Sequence, residues 1–131
     1  MSDVRELSQA SMAAVAAKDR EGWLALFADD AVVEDPVGPS AFDPEGRGHR
    51  GRDAIAAFYD TVIAPNESVT FSVQQSFLCG DEVANVGVIR ICIAAGTTVE
   101  VDGVYTYRRG PDGRIAALRA YWEPSAVRPV P

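Results

Sequence analysis

One carboxylate stands where folded chains often hold a reactive group. The stretch Leu24–Gly38 reads LALFADDAVVEDPVG, and residues 31–35 alternate in polarity as a short strand does. Asp35 ends this strand, because Pro36 has no N–H and cannot continue a hydrogen-bonded ladder. A side chain in that place is fixed by the scaffold and open to a cavity. Asp35 is therefore a candidate reactive carboxylate; the alternative from the residues alone is a surface aspartate that bonds the turn.

Histidine and cysteine chemistry finds little support in the sequence. His49 is the only histidine, and it lies in a loop rich in proline and glycine. One histidine without a cysteine cluster excludes a histidine-rich metal site, and nothing fixes His49 for a Ser–His–Asp triad. A hairpin turn at Gly80–Asp81 would place Cys79 and Cys92 far apart along its strands, so we expect two reduced thiols and no disulfide.

Two helices are predicted before the Asp35 strand. The first spans about residues 3–18 and carries an apolar stripe at helical spacing. Ser11 lies within that stripe and faces the interior, where its hydroxyl could bond back to the helix carbonyls. The second helix begins at Asp19 as N-cap, and it places Trp23 and Phe27 four residues apart on its buried face.

A loop and a third helix follow. The loop, residues 39–50, is a solvated insertion or a lid in which Phe42 is the one large apolar side chain. The third helix spans residues 52–64 and is ended by Pro65. Its i, i+3, i+4, i+7 pattern puts Tyr59 on the buried face, and a buried tyrosine hydroxyl normally finds a partner.

The rest of the chain is predicted as strands. Turns at Gly80–Asp81, Ala95–Gly96 and Gly110–Gly113 separate four strands, which are residues 68–79, 82–93, 97–109 and 115–123. Because one face of the third strand is polar, the residues of the other face are expected to point inward: Val101, Gly103, Tyr105 and Tyr107. On the last strand, Leu118, Ala120 and Trp122 share a face opposite Arg119. This order predicts an α+β domain with a curved antiparallel sheet and helices on its concave side.

Three segments resemble a known family. VEDPVG after LFADDA resembles the ketosteroid isomerase (steroid Δ-isomerase) branch of the nuclear transport factor 2-like (NTF2-like) superfamily, which includes SnoaL-like proteins. GRDAIAAFY at 51–59 and DGRIAALRAYW at 112–122 resemble the following helix and the last strand of those enzymes. The resemblance implies one cone-shaped domain over residues 1–124 that encloses a deep apolar pocket, with residues 125–131 as an extended tail.

The resemblance also implies a chemistry. It is that of a cofactor-independent, metal-free isomerase that moves a double bond in a 3-ketosteroid or related unsaturated ketone, with Asp35 as the proton carrier. Apolar walls disfavour the charged form of such a base and tune it toward a carbon acid. The two oxyanion donors of the family, a tyrosine and a protonated aspartic acid, fall at Ser11 and Tyr105. Tyr105 and Tyr59 are the candidate donors in their place, with Tyr59 expected to reach the space that the small Ser11 leaves. The expected substrate-binding residues are Ser11, Phe58, Val101, Gly103, Tyr107, Leu118, Ala120 and Trp122.

Three alternatives remain open at this point. If both tyrosines are only core aromatics, the pocket binds steroid-like apolar ligands without much catalysis. Protein interaction alone is a second alternative. An epoxide-hydrolase-like reaction would need a water held between carboxylates bridged by an arginine, and the candidates Asp102 and Arg119 are predicted to face outward.

Composition limits the partners. The net charge of −7 argues against nucleic acid and anionic membranes, and it is compatible with a small neutral ligand. No apolar run approaches the length of a membrane span, and the N-terminus lacks the order of a signal peptide, so we expect a cytoplasmic protein. The outer sheet face carries apolar residues that favour a homodimer over a monomer: Val86, Val88, Cys92 and Tyr121.

Overall fold

Three helical segments pack against one curved sheet in the computed structural model, which describes residues 2–94 and 96–131. They are α1 (Val4–Ala16), α2 (Arg20–Leu24) and α3 (Arg52–Phe58), which continues into a π-helical turn (Tyr59–Ile63). A capping box begins α1, because the Asp3 carboxylate accepts the Glu6 N–H and the Glu6 carboxylate accepts the Asp3 N–H. Asp19 caps α2, as predicted, by accepting the N–H of Gly22. None of the helices in the described ranges is long and apolar enough to cross a membrane.

Within the described residues, seven strands form one sheet in the order β2-β1-β6-β5-β4-β3, with β7 paired to β5. Their bounds are β1 (Phe27–Glu34), β2 (His49–Arg50), β3 (Ser68–Cys79), β4 (Glu82–Ile93), β5 (Thr97–Arg109), β6 (Ile115–Tyr121) and β7 (Arg128–Pro129). Every pair is antiparallel except β1 and β6, which run parallel. The predicted α+β class with a curved, unclosed sheet is confirmed, and the predicted antiparallel sheet contains this one parallel pair.

Some predicted boundaries differ from the structure. His49 and Arg50, at the end of the predicted loop, form β2 and pair with Val33 and Val32 of β1. Phe27 begins β1 instead of ending a helix, because it pairs with Ile115 of β6 before an irregularity in register that lasts until Val32. The last strand ends at Tyr121, since the chain leaves the ladder there and turns over the cavity. Ala95 of the predicted Ala95–Gly96 turn lies outside the described residues.

The C-terminal segment is part of the sheet and not a separate tail. After a 3₁₀ turn (Pro124–Ala126), Arg128 and Pro129 pair with β5 at Glu100 and Val99. The Arg128 guanidinium also bonds the Asp102 carboxylate at 3.0 Å. The segment therefore continues the edge of β5 beyond the end of β6, and the expected boundary between domain and tail is not a structural one.

One face of β5 forms part of the inner wall of the domain. Val101, Tyr105 and Tyr107 are 2%, 4% and 4% exposed, which confirms the predicted inward face. Asp102 and Arg119 point outward, as predicted, and they bond Arg128 and Glu34 respectively. Both cysteines are free, as expected: Cys79 pairs across the hairpin with Glu82, and Cys92 lies at the far end of β4 beside Ser68.

Candidate functional site

An apolar cavity of about 110 Å³ lies between the helices and the sheet. Its walls come from α1, α2, α3 and strands β3 to β6, and they include Val15, Val69, Phe71, Ile89, Val101 and Leu118. Partly exposed lining residues mark where the cavity meets solvent: Val62, Ile63, Asn66 and Val127. The cavity thus has a closed apolar end and a mouth to which the C-terminal segment contributes a side chain.

Asp35 is the carboxylate of this cavity. It follows β1, and the indole N–H of Trp122 donates to its Oδ1 at 2.6 Å. Burial raises the pKa of Asp35 above its usual 3.8, while the Trp122 hydrogen bond and the nearby His49 charge oppose the rise. A carboxylate in that setting is a stronger base than one in water, and it is held in a single orientation.

Neighbouring backbone fixes the turn after Asp35. The parallel register sets Glu34 beside Arg119, and the N–H of Val37 donates to the carbonyl of Ala120 at 2.8 Å. Ala120 is 1% exposed and is not among the cavity's lining residues in the described chain. Its part is to anchor the segment that carries the aspartate, not to touch a ligand as expected.

Tyr105 brings a phenol to the same cavity. Its hydroxyl is buried and has no hydrogen-bond partner among residues 2–94 and 96–131. The ring leans back over Gly103, where a Cβ would stand only 2.8 Å from the hydroxyl. Gly103 was expected to bind substrate; it lies outside the described lining and makes room for the Tyr105 ring. Burial and the negative charge of Asp35 raise the pKa of Tyr105, so the phenol keeps its proton.

Ser11 joins a chain of polar side chains in the wall of the cavity. Its hydroxyl does not bond back to its own helix: Oγ accepts the indole N–H of Trp23 at 3.0 Å and shares a hydrogen bond of 3.1 Å with the Tyr107 hydroxyl. Ser11, Trp23 and Tyr107 all line the cavity. Burial raises the pKa of Tyr107, the bond to Ser11 opposes the rise, and the Asp35 charge adds to it.

Tyr59 is buried, as predicted, but it is not beside Ser11. The Trp23 indole and the Tyr107 hydroxyl occupy the space next to Ser11. The Tyr59 ring packs on Trp23 at 5.5 Å, and Tyr59 is not one of the described lining residues. Burial raises the pKa of Tyr59, the charges of Asp19 and Asp60 add to the rise, and the charge of Arg20 opposes it. The expected placement of Tyr59 is therefore wrong.

The structure brings together most of the predicted site. Asp35 and Tyr105 line the cavity with six of the eight expected binding residues, which are Ser11, Phe58, Val101, Tyr107, Leu118 and Trp122. Sequence reasoning missed Trp23 as a polar partner, although an indole N–H inside an apolar stripe always needs an acceptor. In the described ranges, no group of three or more His, Cys, Asp or Glu side chains is arranged to hold a metal ion.

A model of the SnoaL-like domain matches residues 8–118, most of the chain. The chain belongs to the SnoaL-like family. Several solved structures share this SnoaL-like fold. A Δ5-3-ketosteroid isomerase from Mycobacterium sp. is 42% identical, with a TM-score of 0.92 over 99% of this chain and 100% of that one. RV0760c from Mycobacterium tuberculosis, solved in complex with estradiol-17β-hemisuccinate, is 44% identical, with a TM-score of 0.87 over 93% of this chain and 95% of that one.

A computationally designed 17-OHP binder is 40% identical, with a TM-score of 0.88 over 95% of each chain. No curated protein matches this SnoaL-like chain. Its structural relatives therefore include both an isomerase and a designed binder.

Proposed function

We propose that this SnoaL-like protein is a cofactor-independent isomerase that moves a C=C bond in a 3-ketosteroid or a related unsaturated ketone. One observation carries the proposal: the Asp35 carboxylate, held by Trp122, and the buried Tyr105 phenol, which has no hydrogen-bond partner among the described residues, share one apolar cavity. The first can take a proton from carbon, and the second can meet the charge that then develops on oxygen.

Asp35 and the Tyr105 hydroxyl account for each step of the reaction. Asp35 removes a proton from the carbon between the ketone and the double bond, and the electron pair of that C–H bond delocalises onto the ketone oxygen. The Tyr105 hydroxyl donates a hydrogen bond to this enolate oxygen. Asp35 then returns the proton to the far carbon of the former double bond, which leaves a conjugated enone and restores the carboxylate. No electrons or groups are gained or lost.

Apolar burial serves both steps. Without water in the closed end, the hydrogen bond to the enolate strengthens as charge develops, and the Asp35 carboxylate is less stabilised before the reaction. Trp122 limits this loss of stabilisation of the carboxylate, because its indole N–H still donates a hydrogen bond to Oδ1 of Asp35. The steroid class is supported by the ketosteroid isomerase and the estradiol-derivative complex among the relatives.

The test is turnover of a steroid 5-en-3-one, followed by the absorbance of the conjugated product. Asp35→Asn keeps the acceptor for Trp122 and removes the base, so the turnover number should fall about 100- to 10,000-fold. Asp30→Asn is the matched control, since Asp30 lies on the exposed side of β1. Equal turnover in the wild type and Asp35→Asn would refute the isomerase.

A second candidate function is steroid binding without catalysis. It is favoured by the designed 17-OHP binder, which has the same fold at 40% identity. Estradiol binding by calorimetry, together with no turnover above the Asp35→Asn level, would establish the binder and exclude the isomerase.

A further inference from the structure

We propose that Tyr107 is a second hydrogen-bond donor to the ketone oxygen of the ligand, and that Ser11 is the positioning residue that aims it. The inference rests on the proposed steroid site, and it adds a donor that neither the family match nor the relatives assign. Three observations carry it: the hydrogen-bond chain behind Tyr107, the shared cavity wall, and the nearness of Asp35.

The protons available on each group limit the direction of the hydrogen-bond chain. The indole of Trp23 has one N–H and can only donate, so Ser11 Oγ must accept from it at 3.0 Å. The second contact, between Ser11 Oγ and the Tyr107 hydroxyl at 3.1 Å, has two arrangements. When Ser11 donates, the Tyr107 proton is free for a third acceptor; when Tyr107 donates, the Ser11 proton is free instead.

A ligand oxygen selects between these arrangements. A ketone or enolate oxygen only accepts hydrogen bonds, so its approach to Tyr107 favours the order Trp23 to Ser11 to Tyr107 to ligand. In that order every hydroxyl donates once and accepts once. Each bond then polarises the next, which strengthens the terminal donor in a medium of low dielectric constant.

The position of Tyr107 points to the reacting end of the ligand. Tyr105 and Tyr107 are two residues apart on the inner face of β5, so their Cα atoms are about 7 Å apart and both rings enter one cavity. Asp35 lines the same cavity as both phenols, and its charge adds to the rise in the pKa of each. Because burial also raises these values, Tyr107 remains a protonated donor throughout the neutral range.

The experiment reads the bound ketone directly. Testosterone, a 4-en-3-one, is labelled with ¹³C at C3, and its carbonyl stretch is measured by infrared difference spectroscopy in the complex. A donor to this oxygen lowers the stretching frequency. Tyr107→Phe should move the band back toward its value in an apolar solvent, and Ser11→Ala should move it part of the way. Tyr59→Phe, a buried phenol outside the cavity lining, is the control and should leave the band unchanged.

Kinetics give an independent readout. With a 5-en-3-one substrate, Tyr107→Phe should lower the turnover number about 100-fold or more with little change in KM, because the bond strengthens in the transition state. Ser11→Ala should cost about tenfold, the rate equivalent of one neutral hydrogen bond. The double variant should be no slower than Tyr107→Phe alone, since Ser11 acts only through Tyr107.

The outcomes separate this inference from the proposed function. An unshifted band in Tyr107→Phe, with wild-type turnover intact, overturns the second donor and leaves the isomerase standing. A shifted band without turnover in the wild type supports the donor and refutes the isomerase. Multiplicative losses in the double variant overturn the role of Ser11, and failure of testosterone to bind the wild type overturns the second donor to a steroid ketone, while turnover alone decides the isomerase.

Discussion

Tyr105→Phe should change activity and stability in opposite directions. The substitution removes one hydroxyl and keeps the ring, so the contact with Phe71 at 6.4 Å between centroids is retained. That hydroxyl is buried and has no partner in the described part of the chain. In the protein without ligand it therefore contributes a desolvation cost and no compensating bond.

The magnitudes follow from this geometry. A buried, unpaired hydroxyl costs about 1–3 kcal/mol, so its removal should raise the free energy of unfolding by about 1 kcal/mol. For a chain of this length that corresponds to a rise in Tm of roughly 3–5 °C. The same change removes a donor to the enolate, which should lower the turnover number about 100- to 1,000-fold, or about 2.7–4 kcal/mol of transition-state stabilisation.

Calorimetry and steady-state kinetics on the same preparation test both signs. Tyr107→Phe is the contrasting variant: its hydroxyl is bonded to Ser11, so its loss should lower the free energy of unfolding by about 1 kcal/mol. Should Tyr105→Phe melt lower than the wild type with its turnover number intact, the hydroxyl has a structural partner, and the reasoning that makes it a ligand donor is wrong.

Three further predictions concern the support of the site, its pH dependence and its assembly. In Gly103→Ala, a Cβ would lie 2.8 Å from both the Tyr105 hydroxyl and the Tyr121 carbonyl oxygen, so the phenol must move; we expect a turnover loss close to that of Tyr105→Phe and, unlike it, a stability loss of about 1–3 kcal/mol by chemical denaturation. Burial raises the folded pKa of Asp35 above 3.8, so ionisation costs folding free energy as pH rises; Asp35→Asn should melt above the wild type at pH 8, and the gap should close as pH falls to 3.8. A gap that widens toward low pH would contradict a raised pKa. The outer sheet face, with Tyr121 42% exposed, should form a homodimer, and light scattering at the single-chain mass of 14.0 kDa over the micromolar range would refute it.

Much of the fold could be predicted because residue periodicity reports burial. The alternation of β5 predicts that its tyrosines point inward, and the apolar stripe of α1 predicts a buried Ser11; both are buried in the structure. The sequence pattern does not decide whether Phe27 ends a helix or begins a strand, because its ring can pack on Trp23 in either case. In the structure the two ring centroids are 4.7 Å apart. Pairing of the C-terminal segment depends on where β6 stops, and residues 125–131 carry no sign of that.

The candidate site was predicted less completely for a related reason. Periodicity tells which side of an element is buried, but it does not tell which buried neighbour a polar tip will meet. The pattern of the third helix predicts Tyr59 on an inner face, yet its ring packs on Trp23 and it is not one of the described lining residues of the cavity. Tyr107, on the same face of β5 as Tyr105, reaches Ser11 instead. Only the packing of α1, α2 and β5 decides that the phenol beside Ser11 is Tyr107 and not Tyr59.

A hydrogen-bond donor on β5 stands on a backbone that is held in place on both sides. β5 is bonded to β4 along its whole length and to β6 and β7 on its other edge, so its backbone is held from both sides. Tyr105 and Tyr107 therefore start from fixed Cα positions, and each needs only its ring to be oriented. Gly103 orients the first by leaving space, and Ser11 orients the second by a hydrogen bond that ties β5 to α1 and α2. Because electrostatic catalysis depends on donors that do not reorganise during the reaction, two phenols on one doubly bonded strand can serve an enolate with only a serine on the opposing helix.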